Sequence, residues 1–67
     1  MTANLHEDEA VGRVVDRLKD AYRDRYGPGA VETTVATARD HFRDAPIRGF
    51  IPVLVERRAR ETLDHHR

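Results

Sequence analysis

The sequence predicts an all-α fold, a three-helix bundle formed by residues 1–67 as a single domain, and three observations predict it. Apolar residues recur at i, i+3, i+4 and i+7 in successive segments, which is the period of a helix with one buried face. Two breaker clusters, Gly27-Pro28-Gly29 and Asp44-Ala45-Pro46, cut the chain into three. Bulky apolar residues then crowd into one stretch, from Ile47 to Arg60. There Ile47, Phe50, Ile51, Val53, Leu54 and Val55 fan over about 200° of a helix, wider than the roughly 100° stripe a one-sided surface helix needs.

The first helix is expected over about residues 6–26, with residues 1–5 frayed. Asn4 is a candidate N-cap because Glu7 follows three residues later, and Glu7, Asp8 and Glu9 suit the positive end of the helix dipole. Val11, Val14, Val15, Leu18, Ala21, Tyr22 and Tyr26 hold the apolar spacing, and charged residues fill most positions between them. Gly12 lies inside this helix at a cost of about 1 kcal/mol relative to Ala; it either admits a close neighbour or is simply tolerated.

Gly27 reads as the stop of the first helix and Pro28 as an early residue of the second. A phosphate-binding reading of Gly27-Pro28-Gly29 fails, since it lacks the Gly-Lys-Ser/Thr end and the preceding strand of a Walker loop. The second helix is expected over about 29–43, with Val31, Val35, Ala38 and Phe42 inward. Thr33, Thr34 and Thr37 lower its propensity, so packing must hold it. Short turns on either side make consecutive helices neighbours.

The third helix is expected over about 47–64, with a kink before Pro52, where an interior proline removes a backbone hydrogen bond. A start at Phe50 would instead make Pro52 a harmless first-turn residue. The predicted core is Val11, Val14, Val15, Leu18, Tyr22, Val31, Val35, Phe42, Ile47, Phe50 and Leu54. That leaves Ile51, Val53, Leu54, Val55 and Ala59 of the wide apolar face to meet a partner, and an exposed patch of that kind marks an interface. An isologous homodimer through the third helix is the commonest solution. On this reading Phe50→Asp or Leu54→Asp unfolds the domain, whereas Val53→Asp or Val55→Asp breaks the dimer.

Composition narrows the function classes. Twelve basic and twelve acidic side chains cancel, and with 36% of residues charged they form solvated helix faces rather than one electrostatic footprint. Of the 39% hydrophobic residues eight are alanines, so the core is thin for 67 residues and association would support it. The absence of cysteine removes disulfides and thiol chemistry. With an acidic opening stretch and no run near 18 apolar residues, the expectation is a soluble cytoplasmic protein.

No catalytic constellation is legible. His6, His41, His65 and His66 do not supply the three or four convergent ligands of a zinc site, there is no serine, and the threonines lack a Gly-rich elbow. Carboxylates interleaved with arginines favour ionised pairs over a raised-pKa acid. No cofactor is expected. A helix-turn-helix reading would open its recognition helix on Ile47-Arg48-Gly49-Phe50-Ile51-Pro52, apolar where base edges need polar groups. Arg57, Arg58 and Arg60 read as a solvated helix end, and Glu56 and Glu61 among them argue against a membrane surface.

The run from Ile47 to Arg60, Ile-Arg-Gly-Phe-Ile-Pro-Val-Leu-Val-Glu-Arg-Arg-Ala-Arg, resembles the signature of small bacterial three-helix-bundle dimerisation domains. Val14-Val15-x-x-Leu18, Pro28-x-x-Val31-Glu32 and Phe42-x-x-Ala45 extend the likeness over about residues 10–63. Such domains occur alone and as N-terminal extensions of arsenate reductases resembling low-molecular-weight protein tyrosine phosphatases. The resemblance implies homodimerisation without catalysis, because the phosphatase loop belongs to the neighbouring domain in those fusions. The alternatives left open are a small nucleic-acid-binding regulator and an adaptor for a phosphatase or arsenate-reductase-like partner.

Overall fold

The computed structural model describes residues 2–46 and 49–65, with side chains described from residue 6 onward within those ranges. Among them are three helices and no strand: α1 (Thr2–Ala21), α2 (Pro28–His41) and α3 (Ile51–His65). The cross-helix pairs give the directions. Arg17 reaches Glu56 and Tyr22 reaches Asp64, so α1 and α3 run parallel; Lys19 meets Glu32 and Arg39 meets Glu7, so α2 runs antiparallel to α1. The resulting body measures 36 × 18 × 15 Å.

Each helix boundary differs from the sequence expectation for a local reason. α1 starts at Thr2 rather than near residue 6, so residues 2–5 are helical backbone and Asn4 lies inside the helix instead of capping it. It ends at Ala21, and the chain tightens through Arg25 N–H and Tyr26 N–H, both donating to the Tyr22 carbonyl at 2.8 Å. That tightening keeps Tyr22 and Tyr26 turned toward α3 although residue 26 is no longer α-helical. Gly27 does not stop α1 in a left-handed conformation. With φ −72° and ψ 163° it is the extended N-cap of α2, Pro28 takes the first position, and Val31 N–H donates to the Gly27 carbonyl.

At the other end of α2, Phe42 N–H and Arg43 N–H bond back to Arg39 and Asp40, and Pro46 follows. α3 begins at Ile51, not at residue 47, and its first turn closes with Leu54 N–H on the Phe50 carbonyl at 3.0 Å. Pro52 therefore occupies the second helical position, where no intrahelical N–H bond is required, and the kink expected there does not arise. Ile47, expected in the core, lies outside the described residues.

The core is Val11, Val14, Leu18 and Tyr22 from α1 and the turn after it, Val31, Val35 and Ala38 from α2, and Ile51, Val55, Ala59 and Leu63 from α3. Val15, Phe42 and Leu54 pack against it only partly buried. Two corrections concern α3. Phe50, expected inside, is 68% exposed, while Ile51, Val55 and Ala59, expected at an interface, are fully enclosed by α1 and α2. The reason is the continuation of each row. A row through Phe50 and Leu54 runs next into Arg57, Arg58 and Glu61, whereas Ile51, Val55, Ala59 and Leu63 stay apolar through three steps of i+4 and can be buried along the whole helix.

Candidate interaction surface

Phe50 and Val53 are the large apolar side chains left in solvent among the described residues, at 68% and 64% exposure. They stand at the N-terminal end of α3, three residues apart and hence on one helix face. Half-buried Pro52 and Leu54 adjoin them. Across from Val53, α1 contributes Ala10, Arg13 and Arg17, which share a shallow depression with Pro52, Val53 and Glu56. Glu56 is the local anchor: it takes Arg17 at 3.1 Å and both Nε and Nη2 of Arg60 at 3.1 and 3.0 Å. Those hydrogen bonds raise the Arg60 pKa above its ordinary value. Arg13 and Arg57, both exposed, have no side-chain partner among the described residues, so the ridge of Phe50 and Val53 carries free positive charge on either side.

A second feature, not foreseen from sequence, is a groove of about 610 Å³ between α1 and α2. Val11, Val15, Val35 and Ala36 form its floor, and Glu7, Asp8, Glu32, Arg39, Asp40 and Arg43 its rim. Glu7 is 8% exposed and accepts from Nε and Nη2 of Arg39 at 3.3 and 3.2 Å; Asp8 holds the same guanidinium. Arg39 is thereby pushed above its ordinary pKa, first by the hydrogen bond to Asp8 and then by Glu7, against the opposing effect of burial.

The far end of the bundle is a lock rather than a surface. Tyr22 donates its hydroxyl to Asp64 at 2.7 Å, Tyr26 donates to the Leu63 carbonyl at 2.6 Å, and the Arg25 guanidinium lies 5.7 and 5.8 Å from the two ring centroids. Burial, reinforced by the Asp64 carboxylate, pushes the Tyr22 hydroxyl above its ordinary pKa. A group whose pKa is higher folded than unfolded stabilises the fold fully below its unfolded pKa and loses that contribution as pH rises through the folded value. Denaturation midpoints are therefore expected to hold up to about pH 10, where free tyrosine titrates, and to fall above it. Tyr22→Phe should flatten that alkaline fall, and urea titrations at a series of pH values would show it.

Thr34 and Thr62 donate to the Ala30 and Arg58 carbonyls of their own helices. His6, His41 and His65 are exposed, and no group of three metal-ligating side chains converges among the described residues. His66 lies outside them. No described helix is long and apolar enough to cross a membrane. Among the described residues the protein is thus a small all-helical globule of three helices, with an exposed apolar ridge on α3 and a groove between α1 and α2. Comparison of the chain with protein-family profiles, with curated proteins and with solved structures finds no match.

Proposed function

We propose that the chain is a non-enzymatic, cytoplasmic self-association module whose homodimer is made through the N-terminal end of α3. The observation that carries this reading is the exposure of Phe50 and Val53 side by side, where the other large apolar residues among those described are buried or half-buried. The resemblance of residues 47–60 to bacterial dimerisation domains supports it, and so does a core small enough to gain from association. The expected contact is narrower than the third-helix face read from sequence: Val53 with Phe50 makes it, Leu54 borders it, and Ile51, Val55 and Ala59 support it from inside.

Light scattering across a dilution series is the direct test, with a mass near twice 7.7 kDa expected at high micromolar concentration. Val53→Asp should weaken association at least tenfold with helicity unchanged, since a charge replaces an apolar contact at a surface position. Phe50→Asp separates this reading from the sequence expectation of unfolding. Residue 50 is the N-cap of α3, where aspartate can accept from the Val53 N–H, the second helical position being Pro52 and lacking one, so the variant should gain about 0.5–1 kcal/mol of monomer stability while losing association. Thermal melts at a dilution that dissociates the wild type would read the gain. A wild type that stays at 7.7 kDa throughout the series would displace self-association in favour of the adaptor reading.

A further inference from the structure

Resting on the reading that the chain self-associates, we infer that the two copies meet through unlike surfaces: the Phe50–Val53 ridge of one copy seats in the α1/α2 groove of the other. Two observations favour this over ridge against ridge. The first is area. A stable interface needs about 800 Å² from each partner, and two exposed side chains facing their own copies fall well short of it. The groove adds the accessible part of Val15 and Ala36 and a concave form that a phenylalanine can enter.

The second is charge. Among the residues lining the two depressions beside the ridge, the four arginines Arg13, Arg17, Arg57 and Arg60 outnumber the three carboxylates Glu56, Glu61 and Asp64, so two ridges brought together would oppose an excess of like charge. The groove rim carries four carboxylates, Glu7, Asp8, Glu32 and Asp40, against three cations: Arg39 and Arg43, engaged by Glu7, Asp8 and Asp40, and Lys19, which holds Glu32. The excess is negative and complements the ridge. Placement allows the exchange to be mutual, because ridge and groove lie at the same end of the bundle on either side of α1, the ridge beside Ala10 and Arg13 and the groove beside Asp8, Val11 and Val15.

The test is complementation between two damaged copies. Val53→Asp spoils the ridge and keeps the groove; Ala36→Arg fills and recharges the groove and keeps the ridge. Both positions are exposed, and arginine is a good helix former, so both variants should retain wild-type circular dichroism. Each alone should be monomeric at concentrations where the wild type is dimeric, and an equimolar mixture should regain dimer mass, because one intact ridge then meets one intact groove. Wild-type association should also weaken several-fold between low and high salt. Two results overturn the inference while leaving self-association standing: Ala36→Arg dimerising like the wild type, or a mixture that remains monomeric. A wild type that is monomeric at every concentration overturns both, and that control is read before the variants are mixed.

Discussion

Val55→Asp is expected to unfold the protein outright. Val55 has no exposed surface and sits in the α3 row of Ile51, Val55, Ala59 and Leu63 that α1 and α2 enclose. An ionised carboxylate there has no cation to meet inside the core, and burying such a charge costs several kcal/mol even after local relaxation. A single core below about 70–80 residues rarely supplies more than about 3–5 kcal/mol of net stability, so the substitution consumes all of it. Far-ultraviolet circular dichroism should show a coil at room temperature. Val53→Asp, two residues away and on the outer face, should keep the wild-type helical signal. A folded but monomeric Val55→Asp protein would mean that this row faces a partner, as the sequence suggested.

That contrast marks where the sequence was readable. Three helices and the two breaks between them could be read because Gly27-Pro28-Gly29 and Asp44-Ala45-Pro46 interrupt an i, i+3, i+4 pattern that fits one buried face. The α1 and α2 core positions followed from that same pattern, with Val11, Val14, Leu18, Tyr22, Val31 and Val35 buried and the expected Val15 and Phe42 only half-buried at the edge. The rotation of α3 about its axis was harder, since six bulky apolar residues in nine positions offer two competing rows. The deciding signal was present downstream: the row through Phe50 meets Arg57 and Arg58, and the row through Ile51 reaches Ala59 and Leu63.

The extension of α1 back to Thr2 had no comparable signal, because Asn4 and Glu7 mimic a capping box that the helix passes through. Val53 was legible as an outward-facing residue, and its neighbour Phe50 was misplaced along with the register of the whole helix. The groove was not legible at all. It depends on how far apart α1 and α2 stand above Val11 and Val35, and its rim joins residues such as Glu7 and Arg39 that are 32 positions apart. Pattern within one helix carries no information about that spacing.

Arg39→Met should be the costliest change among the charged residues. Most ion pairs of this protein lie in solvent, such as Arg23 with Asp20 and Arg43 with Asp40, and pairs of that kind contribute only about 0–1 kcal/mol. Arg39 differs because one of its partners is buried. Glu7 faces the core side of α1 at 8% exposure, and Arg39 bridges it and Asp8 from α2, tying the two helices together across the groove. Methionine keeps the apolar stem of the side chain and removes the charge, so Glu7 loses the guanidinium that faces it. The guanidinium is itself one-third exposed and partly screened, which places the cost below that of a fully buried pair, at about 2–3 kcal/mol. At roughly 4–8 °C per kcal/mol for a domain of this size, the melting temperature should fall by about 10–20 °C. The double variant with Glu7→Gln distinguishes loss of the Glu7–Arg39 charge contact from lost packing. A neutral amide no longer needs the cation, so adding Glu7→Gln to Arg39→Met should recover about half or more of the loss, while Glu7→Gln alone should cost less than Arg39→Met alone. If the double variant melts no higher than Arg39→Met, the contribution of Arg39 lies in its stem against Val35 and Ala36 and not in its charge.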